Sequence, residues 1–165
     1  MKNLDFEIGS EARSKSLGYS ERDDRLNCDN SQRIEKTVQY MAQHLDKPLQ
    51  ASELAAVANV SLSHFFALFK QRMGCSPIDY FTRLRMQRAC QLLDSTSARV
   101  KEIAAALGYD DPFYFSRVFK SLLAVAPLHY RSLGLEVKLE IKEVLEPQNQ
   151  TLSADMLRRT GLAGQ

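Results

Sequence analysis

Apolar residues recur at helical spacing through the middle of the chain, and this periodicity predicts an all-α fold. Between residues 31 and 133 the pattern is interrupted by prolines, glycines and short polar turns, which end one helix and begin the next. The interruptions divide this region into about seven helices. We expect them to begin near Ser31, Ala51, Ser61, Pro77, Val100, Pro112 and Pro127.

Several helix ends carry recognisable capping residues. Ser52 is placed to cap the second helix, and Ser76 and Asp111 each precede a proline at a first helical position. Gly74 ends the third helix, and the first helix should end before Lys47-Pro48, because proline disfavours a preceding helical residue. These signals place the helices independently of their apolar pattern.

The chain nearly repeats itself with an offset of 50 residues. From Ser61 it runs S-L-S-H-F-F-A-L-F-K, and from Asp111 it runs D-P-F-Y-F-S-R-V-F-K, so an apolar face and a basic edge recur together. Upstream of these segments the offset is 49, which predicts one extra residue in the second turn. Each copy predicts a helix-turn-helix, and two such units suggest contacts with two DNA grooves.

The two copies are separated by one predicted helix that runs from Pro77 to Asp94-Ser95. About 18 residues at 1.5 Å each span roughly 27 Å, close to the roughly 34 Å between successive major-groove faces of a duplex. This helix is therefore suited to be a spacer. Its basic residues Arg83, Arg85 and Arg88 are expected to form a solvated face rather than a DNA contact.

A recognition helix buries one face and presents the other to base edges. The outward positions of the two helices predict the DNA base contacts Ser63, Phe66, Ala67, Phe113, Ser116 and Arg117. Lys70, Lys120 and Arg131 are predicted phosphate contacts. Arg117 is the strongest single candidate, because its guanidinium can bind guanine O6 and N7 together. Phe66 and Ala67 offer only apolar contact, for example with a thymine methyl group. The second recognition helix, with Ser116 and Arg117, should therefore supply more of the discrimination between DNA sequences.

The segments outside residues 31–133 have a less regular apolar pattern. Residues 1–30 show no sustained period, which predicts a disordered leader, and the tail after Pro147 also reads as disordered. Just before that tail, residues 135–145 alternate apolar and charged side chains as a half-buried strand does, but their apolar residues also fit one face of a helix. Strand and helix both remain open, and this part of the tail is a possible protein contact.

Charge and chemistry narrow the classes of function. Residues 31–133 carry 13 Lys and Arg against 8 Asp and Glu, an excess of +5, whereas both flanks are slightly acidic, so an anionic partner is favoured. Cys28, Cys75 and Cys90 are isolated and predict neither a disulfide framework nor a metal site, and a reducing cytoplasm fits them best. Neither a membrane-spanning stretch nor a signal peptide is indicated. The expectation is a cytoplasmic, nucleoid-associated protein without a cofactor.

The sequence gives little support for an enzymatic function. The chain contains no nucleophile elbow, P-loop or dinucleotide fingerprint. Its three histidines are far apart in sequence; His64 is expected to be an exposed helix residue and His129 a partly buried polar one. The protein is therefore predicted not to be an enzyme.

The segments V-S-L-S-H-F-F-A-L-F-K-Q-R-M-G-C-S-P, I-A-A-A-L-G-Y-D-D-P-F-Y-F-S-R-V-F-K and P-L-H-Y-R resemble the DNA-binding domain of the AraC/XylS family of bacterial transcription regulators. The resemblance covers about residues 31–133. It implies two helix-turn-helix subdomains joined by a long helix, binding of adjacent major-groove segments of a promoter, and contact with RNA polymerase. The chain looks more like the small single-domain members such as MarA and SoxS, and an activator that binds double-stranded DNA as a monomer is expected. The departure from the family pattern is Phe66 and Ala67, where polar or basic residues are usual.

That departure leaves a second function open. A chain whose first recognition helix reads DNA poorly could instead be a partner-dependent protein-interaction module that modulates another regulator or RNA polymerase. Residues 135–145 would then be its docking segment. Deletion of residues 135–165 distinguishes the two readings, because a DNA reader keeps its affinity and an interaction module loses its partner.

Overall fold

The computed structural model describes residues 17–146 and is helical throughout that range, which confirms the predicted all-α fold. The described part of the chain contains eight helices: α1 Leu17–Gln43, α2 Ala51–Val57, α3 Leu62–Met73, α4 Pro77–Ser95, α5 Val100–Ala106, α6 Pro112–Leu123, α7 Pro127–Ser132 and α8 Leu135–Glu143. The seven helices predicted between residues 31 and 133 correspond to α1–α7. The predictions for residues 1–16 and for the tail after Pro147 lie outside the described residues.

The first helix is longer than predicted. It begins at Leu17 rather than near Ser31, so residues 17–30, expected within a disordered leader, are helical. Leu26 in this segment is 61% exposed. Residues 1–30 show no sustained apolar period, so a search for apolar periodicity misses this segment.

The helices α1, α2 and α3 pack against one another and form the first subdomain. Ile34, Val38 and Met41 of α1 are buried with Leu54 of α2 and the apolar face of α3. The N-cap of α2 is Gln50 rather than the predicted Ser52, and its backbone N–H donates to Glu53 Oε2 at 2.8 Å. The capping interaction comes from a residue three positions inside the helix, as in a capping box.

The second subdomain repeats this arrangement. The helix α4 packs against α5 and α7, and α6 packs against α5 and α7. The backbone N–H of Arg99 donates to Glu102 Oε2 at 2.7 Å, as that of Gln50 does to Glu53. The turn between α5 and α6 is one residue longer than that between α2 and α3, which confirms the extra residue predicted from the offset.

Edge-to-face aromatic pairs repeat as well. Phe69 and Tyr80 lie 5.5 Å apart at an interplanar angle of 71°, and their equivalents Phe119 and Tyr130 lie 5.7 Å apart at 77°. In each copy the pair joins the second helix of the helix-turn-helix to the helix that follows it. The helices α3 and α6 are therefore held in similar packing environments.

Arg85 corrects a prediction, because it is buried rather than part of a solvated face. Its guanidinium lies over the rings of Phe81 and Tyr109, at 4.5 Å and 5.0 Å from their centroids, and its Nε donates to the Leu45 carbonyl at 3.1 Å. Burial lowers the pKa of this guanidinium, and its Nη2 has no hydrogen-bond partner among the described residues. The sequence could not show this, since Leu45 and Tyr109 come from opposite sides of α4 in the chain.

Residues 135–143 form a helix, so the strand alternative is wrong. Lys138 and Lys142 each form an ion pair with Asp94 of α4, at 2.9 Å in both cases. Farther along, Arg83 Nη1 donates to the Val144 carbonyl at 2.9 Å, and Leu145 is buried. The contacts at both ends indicate that α8 lies along α4 with its chain direction reversed.

Within residues 17–146 no single helix is both long and apolar enough to cross a membrane, although α2 and α3, bent by 82° from each other, pass that test of length and composition as a pair.

Candidate nucleic-acid interface

The third helix has one buried and one exposed face. Ser61 caps it by accepting from the His64 backbone N–H, and Gly74 ends it in the left-handed conformation. Phe65, Leu68, Phe69 and Met73 are buried in the subdomain core. The predicted contacts Ser63, Phe66, Ala67 and Lys70 are exposed together on the other face. The structure thus brings all four onto one surface of α3.

The sixth helix is built in the same way. Asp111 caps it by accepting from the Phe113 backbone N–H at 2.8 Å, and Pro112 occupies its first turn. Phe115, Phe119 and Leu123 are buried. On the opposite face Phe113 is 80% exposed, and Arg117 and Lys120 are also exposed.

These two helices carry basic side chains and no carboxylate of their own. Neither α3 nor α6 contains Asp or Glu, whereas α3 holds Lys70 and Arg72 and α6 holds Arg117 and Lys120. Among the described residues, Lys70, Arg117 and Lys120 take part in no ion pair. An exposed basic face of this kind attracts a polyanion, and its charges are available for phosphate groups.

Arg117 lies beside an aromatic ring that the sequence analysis did not single out. Its Cζ is 5.8 Å from the centroid of Tyr114, one turn earlier on α6, and Tyr114 is 52% exposed. A cation over an exposed ring gains about 0.5–1 kcal/mol, which restricts the guanidinium to fewer positions. The signal for Tyr114 was its position three residues before Arg117, since side chains at that spacing meet on a helix.

Two predicted contacts are engaged within the protein. Ser116 is half-buried, and its hydroxyl donates to the Pro112 carbonyl at 2.8 Å, so only its lone pairs remain for a base edge. Arg131 lies on α7 and is half-buried, and its guanidinium donates to the carbonyls of Leu93 at 3.3 Å and Ala98 at 2.6 Å. These bonds tie α7 to the end of α4 and to the loop after it, and the phosphate contact predicted for Arg131 stays a prediction.

The structure shows how far His64, His129, Cys75 and Cys90 are exposed. His64 is exposed as predicted, whereas His129 is exposed and not partly buried, because α7 is short and buries chiefly Pro127 and Tyr130. Burial raises the pKa of the Cys90 thiol to about 11, and burial likewise raises that of Cys75, so neither is a ready thiolate. Within the described range no group of three His, Cys, Asp or Glu side chains could hold a metal ion.

Comparisons with known proteins agree with this geometry. The family model described as a helix-turn-helix domain matches residues 54–132. A solved structure of a transcriptional regulator from Chromobacterium violaceum, with an AraC-type DNA-binding domain, is 30% identical with a TM-score of 0.58, over 61% of this chain and 89% of that one. The chain belongs to the AraC-type helix-turn-helix family. The DNA-binding domain of AdpA, solved in complex with a target DNA, is 26% identical with a TM-score of 0.57, over 60% of this chain and 89% of that one.

Two curated relatives are named as regulators of operons. The MmsAB operon regulatory protein of Pseudomonas aeruginosa is 42% identical over 92 residues, which are 56% of this chain and 30% of that protein. The lactose operon transcription activator of Staphylococcus xylosus is 35% identical over 98 residues, which are 59% of this chain and 35% of that protein. The chain thus spans about a third of the length of these two relatives.

Proposed function

We propose that this chain is a sequence-specific double-stranded DNA-binding transcription activator that inserts α3 and α6 into adjacent major grooves of a promoter. The observation that carries the proposal is the pair of repeated helices whose exposed faces hold basic side chains and no carboxylate. Membership of the AraC-type family supports DNA as the ligand, and the similarity to an operon activator favours activation. The α4 helix, at about 28 Å for its 19 residues, supplies a spacing near one turn of the duplex.

The side chains of the two faces divide into two roles. Arg117 is proposed to contact a guanine through both O6 and N7, with Tyr114 restricting its position. Lys70 and Lys120, at equivalent places in the repeat, are proposed to bind phosphates and set the orientation of each helix. Phosphate contacts fix orientation, whereas base contacts select sequence.

The primary experiment is selection of binding sites from a random duplex library at about 150 mM salt, because affinity at low salt mostly reports phosphate contacts. Recovery of two short elements about one helical turn apart supports the proposal. Recovery of no motif, with weak binding that depends steeply on salt, contradicts it.

Two substitutions test the roles of Arg117 and Lys70. Arg117→Ala should reduce affinity for the selected site by about 1–3 kcal/mol and relax specificity at one base position. Lys70→Ala should weaken binding to specific and random DNA alike and lower the slope of log K against log salt by about 1. Affinities measured by fluorescence anisotropy over a salt series separate the two effects. Equal losses on specific and random DNA for both variants would contradict the assignment.

A promoter-binding activator also implies a location in the cell and a protein partner. The chain is proposed to act in the cytoplasm on the nucleoid and to contact RNA polymerase at the promoter. Monomeric binding is proposed because two helix-turn-helix units in one chain already supply two groove contacts. Sedimentation of the complex with a selected site gives its stoichiometry, and two chains per site would contradict the monomer.

One observation favours a second function, that of a partner-dependent protein-interaction module. Leu135, Val137 and Leu139 are between 44% and 71% exposed on the surface of α8. Deletion of residues 135–165 leaves affinity for a selected site unchanged if DNA reading is the whole function. The pair of substitutions Leu135→Ser and Leu139→Ser is a milder test, because it keeps the contacts of α8 with Asp94. Lost transcriptional activation with intact DNA affinity supports the interaction module.

A further inference from the structure

The exposed face of α3 is almost without groups that can make a paired hydrogen bond to a base. Its first eight residues, Leu62–Phe69, include no Arg, Lys, Asn or Gln. Leu62 is 46% exposed and Phe66 is 38% exposed, and Ala67 is exposed beside them. Because the N-terminal part of a recognition helix reaches the base edges, this apolar surface is what a major groove would meet.

A major groove offers one apolar group among its base edges, the C5-methyl group of thymine. Guanine and adenine present acceptors and an amino group there, and cytosine presents an amino group. An apolar side chain placed against those polar edges would displace their water without replacing its hydrogen bonds. Thymine methyl groups are therefore the chemical match for Phe66 and its neighbours.

On the basis of the proposed function, we infer that α3 selects a thymine-bearing element by packing Phe66 against C5-methyl groups. The sixth helix combines both modes of reading. Phe113 and Arg117 are one turn apart on its exposed face, so a thymine at Phe113 accompanies a guanine at Arg117. The first element is then read chiefly by apolar contact, and the second by apolar contact together with the paired hydrogen bonds of Arg117.

The test uses deoxyuridine, which pairs as thymine does and lacks only the methyl group. Each thymine in the selected site is replaced singly, and binding of the full chain is measured at fixed salt. Burial of one methyl group predicts a loss of affinity of about three- to fivefold at each contacted thymine. In Phe66→Ala, the same replacement in the first element should cost less than about 1.5-fold, because the cycle removes the pairwise contact.

Phe113→Ala is the matched control in the other repeat. It should remove the sensitivity to deoxyuridine in the second element and leave that in the first. Since Phe113 is 80% exposed, this variant keeps the fold even if Phe66→Ala loses it, and circular dichroism of both verifies their helical content.

The outcomes separate this inference from the proposed function. A selected site whose thymines tolerate deoxyuridine without loss overturns the inference and leaves the DNA-binding function standing. Sensitivity that persists unchanged in both phenylalanine variants overturns it as well. If no sequence is selected, the proposed function itself fails.

Discussion

Two glycines with nearly the same backbone conformation have very different surroundings. Gly74 has φ +74°, and a Cβ built there meets nothing within 4 Å. Gly108 has φ +71°, and a Cβ there would lie 2.5 Å from the Asp46 carbonyl oxygen and 2.9 Å from Arg85 Nη2. At Gly108 the second helix-turn-helix therefore approaches the backbone of the loop after α1 too closely for any side chain.

Alanine at the two positions should separate backbone strain from steric overlap. Gly74→Ala should lower the free energy of unfolding by about 1–2 kcal/mol, because alanine is strained in the left-handed conformation. Gly108→Ala should lower the free energy of unfolding by about 1–3 kcal/mol more, because the Asp46 carbonyl is a backbone group and must move to make room for the methyl group. Urea unfolding followed by circular dichroism gives both values, since the chain has no Trp for fluorescence. Equal losses would mean that the close approach at Gly108 is relieved without strain.

At the scale of the element, the ion pairs between α8 and α4 converge on one carboxylate. Asp94 accepts from Lys138 and Lys142, both at 2.9 Å, and Lys138 Nζ also donates to the Arg131 carbonyl at 3.2 Å. The apolar contribution is small, since α8 itself has no buried residue and Leu145 lies just beyond its end. Docking of α8 should therefore depend on this charge.

Asp94→Asn should loosen α8, whereas the amide oxygen can still accept the hydrogen bond that the Tyr130 hydroxyl donates to Asp94 at 3.3 Å. Two partly exposed ion pairs at about 0.5 kcal/mol each predict a roughly fivefold faster amide hydrogen exchange across Lys138–Glu143. Glu140→Gln is the matched control, because it makes the same change of charge on an exposed side chain without an ion pair among the described residues. Equal exchange rates in the two variants would show that Asp94 does not hold the helix.

The same carboxylate predicts a pH dependence. Partial burial raises the pKa of Asp94, but the hydrogen bonds from Lys142 and Lys138 outweigh burial and hold the pKa below its ordinary value. A carboxyl with a lowered pKa contributes its full stability above the unfolded value of about 3.9 and loses it as pH falls through the folded value. The carboxyl carbon chemical shift of Asp94, followed by NMR, should titrate below that unfolded value. A midpoint at or above it would contradict the docking.

The helices differ in how closely the sequence predicts them, and the differences have physical reasons. The helices α2–α7 were predicted closely because prolines, caps and Gly74 mark their ends locally. The α8 helix was left open because an alternation of apolar and charged residues fits either structure, and its contacts with α4 come from elsewhere in the chain. The beginning of α1 and the burial of Arg85 were missed for the same reason, since no local signal records tertiary partners. On the candidate interface the exposed faces were predicted from helical spacing, whereas the internal bonds of Ser116 and Arg131 were not.

At the scale of the whole molecule, the two recognition helices are joined by a rigid connection. The α4 helix runs without a break for 19 residues and packs against α3 at one end and α5 and α7 at the other. Arg85 bonds to the Leu45 carbonyl, and Gly108 lies against Asp46, so the two subdomains also meet beside α4. The relative position of α3 and α6 is thus set by the fold rather than by a flexible linker.

This rigidity predicts how binding responds to the spacing of the two DNA elements. An insertion of 5 bp between them turns one element to the opposite face of the duplex, since one turn is about 10–10.5 bp. Loss of one element removes several base contacts at about 1–3 kcal/mol each, so affinity should fall roughly 30-fold or more. An insertion of 10 bp restores the face but raises the separation of the two elements from about 34 Å to about 68 Å, which a helix of about 28 Å cannot span. Affinity should therefore stay low at 10 bp as well, whereas a flexible tether would recover it. Insertions of the same length outside the two elements are the control. A site with 10 bp inserted that binds as tightly as the parent would show that the two subdomains separate on DNA.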